Sequence, residues 1–232
     1  MISIIIPTLN EEKYLPKLLE SIKKQSYKDY EVIVADGGSK DKTKKIARKY
    51  GCKLVQGGSP AKGRNHGAEH AKGDYLLFLD ADVTFSKTFL ETLIEQQKKK
   101  QFDFASVYLL PEGKNFFDHF FSFFMNIYFF FLQKIWPHAS GMCIFSRRKL
   151  HNEIKGYNEK IVHAEDHEYI TRASKKGKFS YLFKPVLKFS VRRLDKEGRL
   201  TLVGKYIYSE IYRFFKKEIK KDIFKYEFGK HE

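Results

Sequence analysis

A chain of 232 residues with 42% hydrophobic content is long and apolar enough to build one large domain with a full core. Its 44 basic residues against 28 acidic ones give a formal charge of +16, which favours polyanionic partners: nucleic acid, phosphorylated metabolites or an anionic membrane surface. Two distant cysteines, Cys52 and Cys143, without CxxC spacing, argue against a disulfide framework or a cysteine zinc site and agree with a reducing, cytoplasmic setting.

The opening MISIIIPTLN carries neither a basic leader nor a small-residue cleavage site, so it reads as a first strand rather than a signal peptide. Ile2 to Ile6 is apolar and β-branched apart from Ser3, the pattern of a parallel strand covered on both faces, and Pro7 is expected to end it. Asn10 is placed to cap a helix whose apolar face is Leu15, Leu18, Leu19 and Ile22 and whose start would hold Glu11 and Glu12. Pro16 requires that helix to start late or to bend. A second strand is expected over Glu31 to Ala35, ending in Asp36-Gly37-Gly38-Ser39. Paired glycines let backbone approach a ligand closely, and a carboxylate at a strand end can accept hydrogen bonds from a base or ribose; an ordinary turn has the same composition.

Asp41 to Tyr50 reads as a basic helix stopped by Gly51, Lys53 to Gln56 as a third strand, and Ser59-Pro60 as the start of a helix carrying Lys62, Arg64, Asn65 and Ala68. Tyr75 to Leu79 is a fourth short strand, and it ends in Asp80-Ala81-Asp82. Side chains alternate along extended chain, so these carboxylates point the same way and repel unless a cation sits between them. Hard oxygen ligands suit magnesium or manganese; a polar turn capped by Asp82 or Thr84 is the plain alternative. Repeated strand-helix alternation implies right-handed crossovers and a parallel sheet, with ligands beyond the carboxyl ends of the strands. Pro7-Thr8, Asp36-Gly37 and Asp80 to Asp82 all fall there.

Pro7-Thr8-Leu9-Asn10-Glu11-Glu12, Ala35-Asp36-Gly37-Gly38-Ser39-Lys40-Asp41-Lys42-Thr43, Lys62-Gly63-Arg64-Asn65-His66-Gly67 and Asp80-Ala81-Asp82 resemble, in order and spacing, the successive motifs of family-2 glycosyltransferases of GT-A fold. The resemblance spans the first hundred residues. It implies an α/β, Rossmann-like architecture with a mainly parallel central sheet, and a UDP- or GDP-sugar donor used with Mn2+ or Mg2+. Pro7, Thr8, Asn10, Glu11, Asp36 and Gly37 would surround the nucleoside, with Arg64 near it or near the diphosphate. Asp80-Ala81-Asp82 would be the DXD motif, Asp82 the principal metal ligand and Asp80 nearer the ribose. A nucleotidyltransferase of this topology would instead open with a glycine-rich loop carrying Arg and Lys.

Beyond these motifs, Ser86 to Lys99 reads as a helix and Phe104 to Leu110 as a strand. Phe116 to Trp136 then holds nine phenylalanines, with Asp118, Ser122, Asn126 and Gln133 forming a narrow polar stripe at helical spacing. Asp118, His119, Asn126 and Lys134 argue against a membrane span, which leaves burial against the sheet or a place in the membrane interface beside a lipid acceptor. Gly141 to Phe145 is a further strand, and His163 to Glu168 leads into a helix ending near Lys176. An Glu-Asp pair at this position supplies the catalytic base in family-2 transferases, which implies Asp166 as the base with Glu165 beside it. A helix dipole would hold such a carboxylate ionised, whether or not it takes a proton.

Tyr181 to Ser190 is expected as a closing strand pair, with Arg192 and Arg193 beyond it to neutralise a departing diphosphate. Some relatives place a histidine ligand late in the chain; here His231 alone follows His167, so a third metal ligand is unassigned. From Gly204 onward Ile207, Ile211, Phe214, Phe215, Ile219, Ile223 and Phe224 alternate with Lys216, Lys217, Lys220, Lys221 and Lys225, an amphipathic basic helix suited to an anionic membrane or to covering a core. The expected organisation is a GT-A domain over 1–203, split into a donor half (1–110) and an acceptor side (111–203), followed by the helix over 204–232. The expected activity is inverting transfer to a polyprenyl phosphate or another lipid-linked or membrane-associated glycan acceptor, with the protein peripheral on the cytoplasmic face and no nucleic-acid partner. Its rival is a non-catalytic basic binding protein of the same fold.

Overall fold

The computed structural model describes residues 1–161 and 163–216, with side chains described through Tyr212. An eight-stranded sheet in the order β3-β2-β1-β4-β7-β6-β8-β5 forms the spine of the molecule. Its first half is the parallel set expected from the alternating pattern: β1 (Ile2–Thr8), β2 (Tyr30–Asp36), β3 (Lys53–Gln56) and β4 (Tyr75–Leu79), connected through α1 (Leu15–Lys23), α2 (Thr43–Lys49) and α3 (Pro60–Glu69). Ile2, Ile4, Ile5 and Ile6 have no exposed surface, because helices cover both faces of the sheet.

Pro7 does not end β1. It continues the ladder by pairing with Ala35, while the ladder to β4 has already stopped at Ile5–Phe78. A proline is tolerated there because the neighbour that would need its missing N–H has diverged. Asn10 does not cap α1 either. Its φ is 57°, and its side-chain oxygen accepts the Lys40 N–H at 2.9 Å, so it ties the first loop to the second. The cap position belongs to Tyr14, and Pro16 sits in the first turn of the late-starting helix, where its missing N–H costs nothing.

In the second half the sheet becomes mixed. Strand β5 (Val83–Phe85) leaves the Asp80-Ala81-Asp82 corner and pairs antiparallel with β8, and α4 (Phe89–Lys100) returns to β6 (Phe104–Pro111). Strand β7 (Cys143–Arg147) is antiparallel to both β4 and β6. The expected closing strand pair is a single strand, β8 (Phe179–Phe189), parallel to β6 with a register shift opposite Val107 and Tyr108 and a cis Lys184-Pro185 bond. Helices α6 (Arg148–Glu153), α7 (Glu165–Ala173) and α8 (Arg192–Glu197) follow β7 and β8.

Helix α5 (Phe116–Leu132) is built inside out. Asp118, Ser122 and Asn126 are buried, while Phe116, Phe117, Phe120, Phe123, Phe124 and Phe131 are exposed. The cause lies in β6, whose ladder to β7 stops after Ala105. Asn126 accepts the Leu109 N–H at 2.8 Å and donates to the Leu109 carbonyl at 2.9 Å, and Ser122 donates to the same carbonyl at 2.6 Å. These side chains stand in for a missing strand, satisfying backbone groups that would otherwise be buried without partners. Tyr181 adds a hydrogen bond from β8 to the Asn126 oxygen, and Arg199 pairs with Asp118 at 2.7 Å.

Arg199 opens α9 (Arg199–Lys216), so the helix begins five residues before the expected boundary at Gly204. Phe214, Phe215 and the residues from Lys217 on, including Ile219, Ile223, Phe224 and His231, lie outside the described side chains.

Candidate active site

The carboxyl ends of β1, β2 and β4 converge on one acidic crevice. Asp80 and Asp82, at the corner between β4 and β5, each meet a different arginine: Arg64 Nη2 lies 2.9 Å from Asp80, and Arg192 Nε lies 2.9 Å from Asp82. Their charges still repel across the corner. The Asp82 carboxyl is pushed up to about 6 by burial, against the pull of Arg192, with Asp80 and Glu11 adding to the rise. Burial also raises Asp80; Arg64 offsets part of this, and Glu165 and Asp166 reinforce it.

Arg64 comes from α3 and is 2% exposed. Its Nη1 donates to Glu165 at 2.7 Å, its Nη2 reaches the Gly141 carbonyl at 3.4 Å, and its guanidinium lies 5.3 Å from the centre of the Tyr157 ring. Burial alone would make this guanidinium easier to deprotonate; Asp80, Tyr157, Glu165 and Asp166 more than reverse that. Arg64 is therefore a buried hub joining the DXD corner to the Glu165-Asp166 pair.

Glu165 and Asp166 form the first turn of α7, preceded by Ala164 with φ 61°. A non-glycine residue in that region stores strain that the surrounding contacts must hold. Those contacts are visible: Asp166 Oδ2 accepts the Gly141 N–H at 2.5 Å and Oδ1 accepts the His167 N–H at 2.8 Å. Gly141 fits closely here: a Cβ would lie 3.0 Å from Arg64 Nη2 and 3.1 Å from Asp166 Oδ2, so those side chains would have to shift to admit one.

Arg192 sits in α8 rather than at a strand end. It grips Glu11 with two bonds of 2.9 Å, reaches Asp82, and stacks on Tyr14 at 4.2 Å. Glu11 is 4% exposed and outside α1, so its role is to hold Arg192, not to serve the helix dipole. Arg193 turns away to Glu197 at 2.6 Å. Asp36 is occupied by its own turn: Oδ1 accepts the Gly38 and Ser39 N–H groups, and Oδ2 accepts the Ser39 hydroxyl at 2.5 Å and the Thr8 hydroxyl at 3.3 Å. Gly37 follows, its N–H donating to the Thr8 carbonyl at 2.8 Å, and a Cβ on it would lie 2.9 Å from the Gly58 carbonyl oxygen. The glycine is explained by chain packed against chain.

Two residues of this region escaped the sequence reading. Tyr157 roofs the Arg64 hub, and Tyr206, on the inward face of α9, is held in its neutral form by burial, with Asp166 and Asp80 among the charges around it. Apolar spacing drew attention to the outward Ile207 and Ile211 of the same helix, both more than half exposed.

Glu11, Asp80, Asp82, Glu165 and Asp166 thus share Arg64 and Arg192, a local excess of negative charge in a strongly basic protein. All the acidic donors are hard oxygens, and Asp82 is raised chiefly by burial, with Asp80 and Glu11 adding to it against the pull of Arg192. The set fits Mg2+ or Mn2+.

Known proteins resemble this chain in sequence and in fold. TarS of Staphylococcus aureus, a poly(ribitol-phosphate) beta-N-acetylglucosaminyltransferase, is 38% identical over 99 residues, covering 38% of this chain and 17% of TarS. A Campylobacter jejuni GalNAc(5)-diNAcBac-PP-undecaprenol beta-1,3-glucosyltransferase is 33% identical over 104 residues, covering 41% of this chain and 34% of the enzyme. The matched stretch is therefore a small part of these longer relatives. Among solved structures, TarS with UDP-GlcNAc superposes with a TM-score of 0.66 at 24% identity, over 82% of this chain and 58% of that one. The Pyrobaculum calidifontis mannosyltransferase PcManGT, solved with GDP-Man and Mn2+, gives 0.70 at 21% identity over 82% and 56%. These likenesses establish the GT-A fold. The glycosyl transferase family 2 profile matches residues 3–155, about two thirds of the sequence, and the chain belongs to that family.

Proposed function

We propose that the chain is an inverting, metal-dependent glycosyltransferase that moves a sugar from a nucleoside diphosphate sugar to an acceptor held at a membrane surface. The observation that carries this reading is the acidic corner of Asp80 and Asp82, joined through Arg64 to Glu165 and Asp166. Asp82, with Asp80 beside it, would hold the divalent ion, which when bound neutralises charge on the departing diphosphate. Arg192 would give up Asp82 when that carboxylate turns to the ion. Its planar guanidinium would then be available to phosphate oxygens.

Asp166, fixed by the Gly141 and His167 amides, would take the proton of an acceptor hydroxyl. The bond from acceptor oxygen to anomeric carbon forms on one face as the bond to phosphate breaks on the other, its electron pair leaving with the diphosphate. A polyprenyl phosphate acceptor is already anionic, and Asp166 would then position groups rather than move a proton. The outward aromatics of α5 support the membrane part of the reading, since rings on a helix surface with a basic chain behind them suit the lipid interface. Among the described residues no helix is long and apolar enough to cross a membrane.

The test is release of nucleoside diphosphate from a panel of UDP- and GDP-sugars with Mn2+, with and without a polyprenyl phosphate. Release from one donor, accelerated by the lipid and abolished in Asp82→Ala, is the expected result. No release with any donor and any acceptor overturns the reading.

A further inference from the structure

A second cluster of metal-type donors lies on the acceptor side, and neither DXD carboxylate belongs to it. His138, in the connection between α5 and β7, His167 on α7 and Glu210 on α9 bring their ligand atoms within 4.8 Å of one another. His138 Nε2 is 2.9 Å from Glu210 Oε2, and His167 Nδ1 is 3.3 Å from Glu210 Oε1. Tyr128 also donates to Glu210 Oε2 at 3.4 Å, and Asp166 Oδ1 lies 3.9 Å from His167 Nε2.

The chemistry of His138 decides what the cluster is for. The ring is fully buried, and its Nδ1 faces the Trp136 carbonyl at hydrogen-bond range. A carbonyl only accepts, so Nδ1 carries the proton and Nε2 of the neutral ring is a bare lone pair. That lone pair faces a carboxylate oxygen, which also only accepts. Either a second proton on Nε2 or a metal ion must come between them. A proton on Nε2 would make a hydrogen bond, yet Nε2 is buried without one, because Glu210 lies off its N–H axis. Three such ligand atoms within 4.8 Å of one another are close enough to share one ion.

We propose that His138, His167 and Glu210 bind a divalent metal ion, zinc by the chemistry of its donors, at a site separate from the DXD corner. Two imidazoles and a carboxylate select zinc or a similar borderline ion over magnesium. Zinc to nitrogen bonds of about 2.0–2.1 Å place tetrahedral ligand atoms about 3.4 Å apart, close to the 2.9 and 3.3 Å separations here. One outer partner matches as well: His138 has the Trp136 carbonyl as acceptor on its other ring nitrogen, while the Asp166 carboxylate stands 3.9 Å from that of His167. The ion clasps α9 to α7 and leaves a fourth position for water or an anionic oxygen beside Asp166. The site stands on these three residues and does not depend on the transferase reading.

The experiment uses the full chain stripped by chelation, with zinc alone added against a chromophoric chelator and thermal unfolding followed in parallel. One tight equivalent is expected at neutral pH, with a higher Tm. Glu210→Gln and His167→Gln each weaken that equivalent by about 100-fold or more and remove the Tm gain. Asp82→Asn retains it, and so does His70→Ala, which removes an exposed imidazole at the end of α3. Absence of a tight equivalent in the unmodified chain, undiminished affinity in Glu210→Gln and His167→Gln, or loss in Asp82→Asn overturns the proposal.

Discussion

In β1 the apolar side chains are inside and the polar groups at the strand's end form the crevice, whereas in α5 six phenylalanines face outward and the amide and carboxylate side chains are buried. Both arrangements obey one rule: buried backbone groups must find partners. In β1 the neighbouring strands supply them, which frees the side chains to pack. Against β6 the ladder runs out, so Ser122 and Asn126 supply them and the rings of α5 are displaced to the surface. Hydrophobic content alone therefore does not decide which face of a helix is buried.

Substitutions can break each side of this contrast. The largest effect on stability is expected from Arg64→Ala, which leaves Asp80 and Glu165 without their buried cation and costs about 3–5 kcal/mol in urea unfolding. Adding Glu165→Gln should recover part of that loss; no recovery would mean that Arg64 acts only through packing on Tyr157.

Next comes a pH effect centred on His151, whose value burial, helped by Arg172, lowers from 6.5 to about 4. The unfolded chain takes up this proton first, so stability is full above 6.5 and falls as pH drops towards 4, by about 3 kcal/mol. Denaturation midpoints measured across that window should flatten in His151→Gln.

On the acceptor side, Asn126→Leu keeps the branched shape but strands the Leu109 N–H, and should cost about 1–3 kcal/mol. The smallest effect on folding is expected for Phe116→Ser with Phe117→Ser, 74% and 67% exposed, which should change stability by no more than about 0.5 kcal/mol. The same pair should weaken flotation with anionic vesicles about tenfold if the aromatic face meets lipid. Unchanged flotation would separate the exposed face from the membrane.

The apolar runs made β1 to β4 legible, and Ser59-Pro60 marked the start of α3, because burial and capping leave local signatures. Asn10 was misread because a left-handed residue and a helix cap favour the same amino acid. The pairing of Glu11 with Arg192 spans 181 positions and leaves no local trace. Nor did the roles of Tyr206, Glu210 and His138 show, since they depend on α9 folding back beside α7. The polar stripe of α5 was visible, but its direction was set by a gap in a distant ladder.

The most direct test of the account is calorimetric titration of UDP and GDP with and without Mn2+, in the unmodified chain and in Asp82→Asn. The account predicts that one nucleotide binds at least about tenfold more tightly with Mn2+ and that Asp82→Asn loses this gain. Binding that ignores Mn2+ and survives Asp82→Asn unchanged would contradict the assignment of the acidic corner as the site of the metal and the diphosphate.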